Sequence, residues 1–170
     1  MAKASEPVIQ EKGKSAIDTS ILDTIQGDLP SNKKTMSPID IYRNYFKSIY
    51  PQANTDVLLA YLGARLSSPK RSLVQLGNTL FNVYRVSPTE VEFDMATNES
   101  PKKIFENSVG FAKFLKNQKI KTAKTIAEKP ETVKLVQKVA ESQGLDVNVG
   151  QSTEKLDGVM KPVYTIEVTL

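Results

Sequence analysis

Residues 87–103 read Ser-Pro-Thr-Glu-Val-Glu-Phe-Asp-Met-Ala-Thr-Asn-Glu-Ser-Pro-Lys-Lys. From Glu90 to Met95 the alternation is strict, with Val91, Phe93 and Met95 on one side and Glu90, Glu92 and Asp94 on the other. That period of two predicts a strand of an antiparallel meander with one wet face. Ser100-Pro101 then supplies a hydroxyl N-cap and a proline at the first helical position, which predicts a helix start. A strand that feeds a helix within so few residues is the mark of a mixed fold.

The same start signal occurs upstream, at Ser37-Pro38-Ile39-Asp40. Ile39, Tyr42, Phe46 and Ile49 follow at helical spacing, with Tyr45 alongside, until Pro51. Thr55 and Asp56 open a second helix, whose expected apolar face is Val57, Leu58, Tyr61, Leu62 and Leu66. Leu73 to Leu76 and Leu80 to Val86 read as strands around the turn pair Gly77-Asn78. Downstream of Ser100 a helix runs to about Asn117, and Ile120 to Ile126 reads as a strand. Pro130 begins another helix, with Val133, Val136, Val139 and Ala140 inward and Gly144 just past its end. Val147 and Val149 mark a short strand, residues 151–161 read as a polar surface loop, and Tyr164, Ile166, Val168 and Leu170 mark a closing strand.

The predicted order is α-α-β-β-β-α-β-α-β-β. It implies an α+β domain over residues 36–170, a twisted and mostly antiparallel sheet with helices on its faces. Residues 1–35 differ: they carry no aromatic residue and balance five lysines against five acids. A polar N-terminal arm, extended or partly helical, is expected there. Ile17, Ile21, Leu22 and Ile25 are its one amphipathic cluster, suited to a contact with a neighbouring subunit.

The chain has 170 residues, enough for one core without metal or disulfide. It contains no Cys, His or Trp. Thiolate nucleophiles, disulfide frameworks, zinc fingers and histidine general bases are therefore excluded. No stretch approaches the roughly 20 apolar residues of a membrane span, and the first residues lack the apolar run of a signal peptide. A soluble protein made in the cytoplasm is expected.

The element order resembles the fold of the GNAT acetyltransferase superfamily from its two helices onward. The resemblance implies acetyl-CoA binding by a Gln/Arg-x-x-Gly-x-Gly/Ala loop, whose bare amides approach the diphosphate at a helix N-terminus. The matching stretch, Ala96 to Lys103, has no glycine, places Pro101 where an N–H is wanted, and puts Glu99 near the expected anion. On this ground the expectation is a degenerate GNAT-like domain with no cofactor, similar to those of tailed-phage virion and internal proteins.

Charge is uneven. Residues 101–138 hold ten lysines against three glutamates, whereas the whole chain is only +4. Lys102, Lys103, Lys113, Lys116, Lys119, Lys121 and Lys124 are the candidates for contact with an anion or, non-specifically, with DNA. Tyr45 and Tyr50 are candidates for a subunit contact, since tyrosine suits interfaces. The expected function is a non-enzymatic structural or assembly protein, a bacteriophage virion component contacting other virion proteins or copies of itself. The alternatives are a GNAT-type N-acyltransferase using acetyl-CoA, with Glu90, Glu92 or Asp94 as base, and a non-specific nucleic-acid-binding accessory protein.

Overall fold

The computed structural model describes residues 35–156 and 158–170. The amphipathic cluster Ile17, Ile21, Leu22 and Ile25 lies outside the described residues, as does nearly all of the expected arm. Ten elements follow in the predicted order: α1 (Pro38–Ile49), α2 (Thr55–Leu66), β1 (Arg71–Leu76), β2 (Thr79–Ser87), β3 (Glu90–Thr97), α3 (Pro101–Asn117), β4 (Thr122–Ala127), α4 (Pro130–Ser142), β5 (Asp146–Leu156) and β6 (Val159–Thr169). One six-stranded sheet has the order β1-β2-β3-β4-β6-β5, and only its central β3–β4 pair is parallel.

The helix ends follow from their capping residues. Ser37 accepts the Asp40 N–H at 3.3 Å and donates its own hydroxyl to the Asp40 carboxylate at 2.8 Å, with Pro38 in the first turn. Asn54 accepts the N–H groups of Asp56 and Val57 to start α2. Ser100 repeats the device for α3, accepting the Lys103 N–H at 3.4 Å. Helix α3 ends where Lys119 turns left-handed at φ 61°, so that the Ile120 N–H reaches back to Leu115 O. Strand β4 therefore starts at Thr122, two residues after the expected Ile120.

The sheet divides into two differently covered halves. Helix α3 packs on one face of β1–β3, where Val74, Leu76, Phe81, Val83 and Val91 meet Phe111, Phe114 and Leu115. The Phe81 and Phe111 rings stack at 4.0 Å and 6°, with Phe93 edge-on to Phe111 at 5.2 Å. On the other face of β1–β3, Ile39, Ile41, Tyr42, Leu59 and Leu66 from α1 and α2 cover Leu73, Leu80 and Ala96. The β4–β6–β5 half has α4 on one face only, through Val133 and Ala140 against Ala127, Ile166 and Val168.

Two expectations are corrected. Val57 and Tyr61, assigned to the inner face of α2, are 63% and 69% exposed, while Leu59 and Leu66 are buried. Helix α2 carries only Asp56 and Arg65 as charged residues, so its apolar period cannot select a face. Residues 151–161 are not a loop. Strands β5 and β6 pair without interruption from Asp146↔Thr169 to Leu156↔Val159. The Asp157-Gly158 pair is a hairpin signal that the polar composition of the segment concealed; Gly158 sits at φ 79°.

Candidate functional site

Strands β3 and β4 run in parallel register for only three pairs, Glu90↔Thr122, Val91↔Ala123 and Glu92↔Lys124. Past Glu92, β3 continues to Thr97 paired with β2 alone. Past Lys124, β4 continues to Ala127 paired with β6 alone. The two strands thus part toward their C-terminal ends and leave a wedge in the middle of the sheet. Among the described residues, each wall of the wedge presents one edge of main-chain N–H and C=O groups that has no strand partner, and such groups need partners. The start of α3 flanks the mouth on the β3 side, and the start of α4 flanks it on the β4 side.

The α1 side of the wedge is lined by ionisable groups. Asp94 lies on β3 just beyond the point of parting and is exposed. Glu128 follows the last residue of β4 and pairs with Lys161 of β6 at 3.6 Å. Tyr45 of α1 is half-buried between them; burial raises its hydroxyl pKa, and Tyr50, Asp94 and Glu128 raise it further. Tyr42, one turn earlier, is buried. Burial, then Asp94 and Tyr45, push its hydroxyl far above the ordinary tyrosine range, against the opposing pull of Arg65 and Arg71. Tyr45 was expected at a subunit contact; here it stands beside the wedge. Tyr50 is 39% exposed at the C-terminal end of α1.

The acidic residues of β3 separate in role. Glu90 is held by Lys124 at 3.1 Å, and Lys124 also reaches Glu167 at 3.4 Å. The Glu90 bond is the main reason that the Lys124 ammonium is favoured beyond its ordinary range. Glu92 sits where the two strands are still paired. Asp94 alone of the three belongs to the open part.

At the α3 end of the mouth, Glu99 does not stand out toward solvent as an anion repellent. Its Oε2 accepts from the Thr79 hydroxyl at 3.0 Å, from the Asn78 N–H at 3.3 Å and from Asn107 Nδ2. Asn107, only 3% exposed, also donates to Thr79 Oγ1. This network lies against the β1–β2 turn, where Gly77 has φ 57° and a Cβ would come within 3.2 Å of Asn107. A recess of about 80 Å³ adjoins it, lined by Met36, Ile41, Asn78, Asn98 and Glu99.

The candidate lysines do not gather into one patch. Lys102, Lys113 and Lys116 are exposed along the outer side of α3, and Lys103 pairs with Glu106 at 3.2 Å. Lys119 and Lys121 lie at the opposite end of that helix, in the turn into β4. Lys124 is on the other face of the sheet, between its two glutamates. Of the seven, Lys102 and Lys103 are the pair at the mouth of the wedge.

No known protein family matches the sequence, and no curated protein matches it. Solved structures do match. A chimera of spermidine N-acetyltransferase from Vibrio cholerae and hSSAT superposes with a TM-score of 0.56 at 11% identity, covering 77% of this chain and 89% of the other. Aminoglycoside 6'-acetyltransferase type Ii gives 0.52 at 12% identity, covering 77% and 88%. A Chromobacterium violaceum protein described as a probable acetyltransferase of the GNAT family gives 0.57 at 7% identity, covering 76% and 80%.

The fold is therefore that of the GNAT acetyltransferases. These matches correct the expectation of a non-enzymatic structural protein, since the structures this chain resembles are acetyltransferases. Nothing in the comparisons supports the link to virion proteins. The error has a physical source. The missing glycines of one loop hid a parting of β3 and β4 that only the strand register reveals, and Glu99 is bound inward and does not face an incoming anion. Among the described residues no helix is long and apolar enough to cross a membrane.

Proposed function

We propose that the chain is an N-acyltransferase that takes its acyl group from an acyl-CoA thioester. The observation that carries this is the parting of β3 and β4 after Glu92 and Lys124. A slot walled by unpaired amides suits the extended, amide-bearing arm of coenzyme A, which can bond to both walls as a strand would. The resemblance to acetyltransferase structures supports the same reading.

The donor's diphosphate meets a different set of groups from the expected glycine cradle. Pro101 has no N–H, and Ser100 Oγ takes that of Lys103. There remain the Lys102 amide, the positive end of a 17-residue helix, and the ammonium groups of Lys102 and Lys103. Glu99, bound inward by Thr79, Asn78 and Asn107, leaves that position to the lysines. Point charges replace most of the backbone contacts, so donor binding is expected to be weak and salt-dependent.

The acceptor enters on the α1 side. An attacking amine must lose a proton as its nitrogen takes the acyl carbon and the carbon–sulfur bond breaks. Asp94, exposed and past the point of parting, accepts that proton directly or through water. The Tyr45 hydroxyl, whose pKa burial raises, donates a hydrogen bond to the departing thiolate, which takes a proton from solvent and leaves as the free thiol of coenzyme A.

Calorimetry with acetyl-CoA tests the donor site. Saturable binding that weakens with added salt and with Lys102→Ala is expected, and no heat at millimolar ligand would remove the proposal. Release of free thiol in the presence of primary amines tests the reaction. Asp94→Asn should lower that rate by about 10²-fold or more at unchanged acetyl-CoA affinity.

A further inference from the structure

Strand β4 carries an apolar side chain where the sheet opens. Ile126 is 47% exposed although its strand lies in the middle of the sheet, and it joins none of the three apolar clusters. Its orientation follows from its neighbours. Ala123 and Ala127 share the face that α3 and α4 cover, so Ile126 projects to the other face, that of α1. Asp94 projects there too, because Ala96, two residues on, packs under α1 and α2. Two residues beyond the last pair, Glu92↔Lys124, Asp94 and Ile126 stand level on the two walls of the wedge.

Granted the acyltransferase reading, on which this rests, we propose that Ile126 selects the acceptor: a primary amine that carries an apolar group, held with its nitrogen at Asp94 and its apolar part against Ile126. The wet face of a strand is ordinarily polar. The neighbours of Ile126 on that face keep to the rule, with Lys124 and Glu128 on its own strand and Thr165 opposite on β6. A second apolar surface comes from α1. Tyr45 stands between Asp94 and Glu128, and its ring lies 5.9 Å from that of Phe46.

The charges around Ile126 disfavour a polycationic acceptor. Glu90 and Glu167 share Lys124 at 3.1 and 3.4 Å, and Glu128 is held by Lys161 at 3.6 Å. Glu92 lies where the strands are still joined, across from Tyr84, whose ring carries the Arg71 guanidinium at 5.0 Å. Among the described residues, that leaves Asp94 as the carboxylate at the opening, enough for one ammonium group. A second ammonium at Ile126 would exchange water for an alkyl surface with no free carboxylate to meet it.

Thiol release from acetyl-CoA with two amines of equal length tests the proposal. Hexylamine ends in a methyl group where cadaverine has a second ammonium. The full-length chain should use hexylamine with a kcat/KM at least about ten-fold higher, mainly through KM. Ile126→Glu should abolish or reverse that preference, and Ile126→Thr, which keeps the β-branching, should reduce it. The side chain is half exposed, so neither variant should move the urea midpoint appreciably, and calorimetry should find acetyl-CoA affinity retained. Equal use of the two amines by the unmodified chain, or a preference for cadaverine, would overturn the assignment and leave the acyltransferase reading standing. So would a hexylamine preference that both variants leave unchanged. Absence of acetyl-CoA binding, with no thiol release from either amine, would overturn both.

Discussion

The halves of the sheet on either side of the wedge are built differently. Strands β1–β3 are clamped between α3 and the α1–α2 pair, and β1 and β2 are buried on both faces, with Val74, Leu76, Leu80 and Val83 at 0% exposure. Strands β4, β6 and β5 have α4 on one face and solvent on the other, and every second residue along β5 from Asp146 to Gly150 is exposed. Central β3 belongs to the first half and shares only three residue pairs with the second. A rigid half meets a thinner one along a short seam, and the slot opens where the seam ends. Stability resides mainly in the first half, while the chemistry proposed here needs both walls.

This asymmetry can be broken most severely at the aromatic stack. Phe111→Ala removes a ring that is 4% exposed and in face contact with Phe81. The expected loss is about 3–5 kcal/mol in urea unfolding. Val147→Ala, on the partly covered β5, should cost well under half as much. Equal losses would mean that the two halves are equally packed.

A smaller effect is expected at the polar brace where the clamped half meets the mouth of the wedge. Glu99→Ala leaves Asn107, 3% exposed, and Thr79, fully buried, without their shared acceptor. The expected cost is about 1–3 kcal/mol, and Glu99→Gln should recover part of it. If Glu99→Ala is neutral, the carboxylate is not held inward in solution, and the place assigned to Lys102 and Lys103 at the anion end is wrong.

The same contrast explains what was legible in the sequence. Capped helices and the β1–β3 meander were readable because Ser-Pro pairs and the strict alternation of Glu90 to Met95 are local signals. The far half of the β5–β6 hairpin was not, since Gln151 to Lys155 bury no large apolar side chain to mark a face. The outer side of α2 was misassigned because uniform apolarity has no phase. The wedge was illegible for another reason: the parting of β3 and β4 depends on which strands pair, and no residue type encodes it. Asp94 could be listed among the acids of its strand, but only the register singled it out.

Alkaline pH sharpens the comparison through Tyr42, which is buried under α1 in the clamped half. Its folded pKa is raised above its unfolded value near 10. Above pH 10 the unfolded chain gives up the Tyr42 proton while the folded chain keeps it, so this contribution is complete below pH 10 and is lost as pH rises further. Tyr42→Phe cannot ionise. Its urea midpoint should therefore fall less between pH 8 and pH 11 than that of the unmodified chain. Lysine deprotonation is common to both proteins and cancels in the difference. Parallel losses would show that the Tyr42 hydroxyl reaches water.

The smallest effect is expected at the seam itself. Lys124 bridges Glu90 of β3 and Glu167 of β6 from its place on β4, and so ties three strands across the junction of the halves. All three side chains are substantially exposed, and water screens such pairs, whose net worth is small. Lys124→Met should leave the urea midpoint nearly unchanged, because the clamped core does not depend on it. Amide exchange of β4 should quicken instead, since β4 shares just three residue pairs with β3 and has lost its side-chain tie. A midpoint lowered as far as by Phe111→Ala would place the main stabilising contacts at the junction, and the division into a stable half and a compliant one would fail.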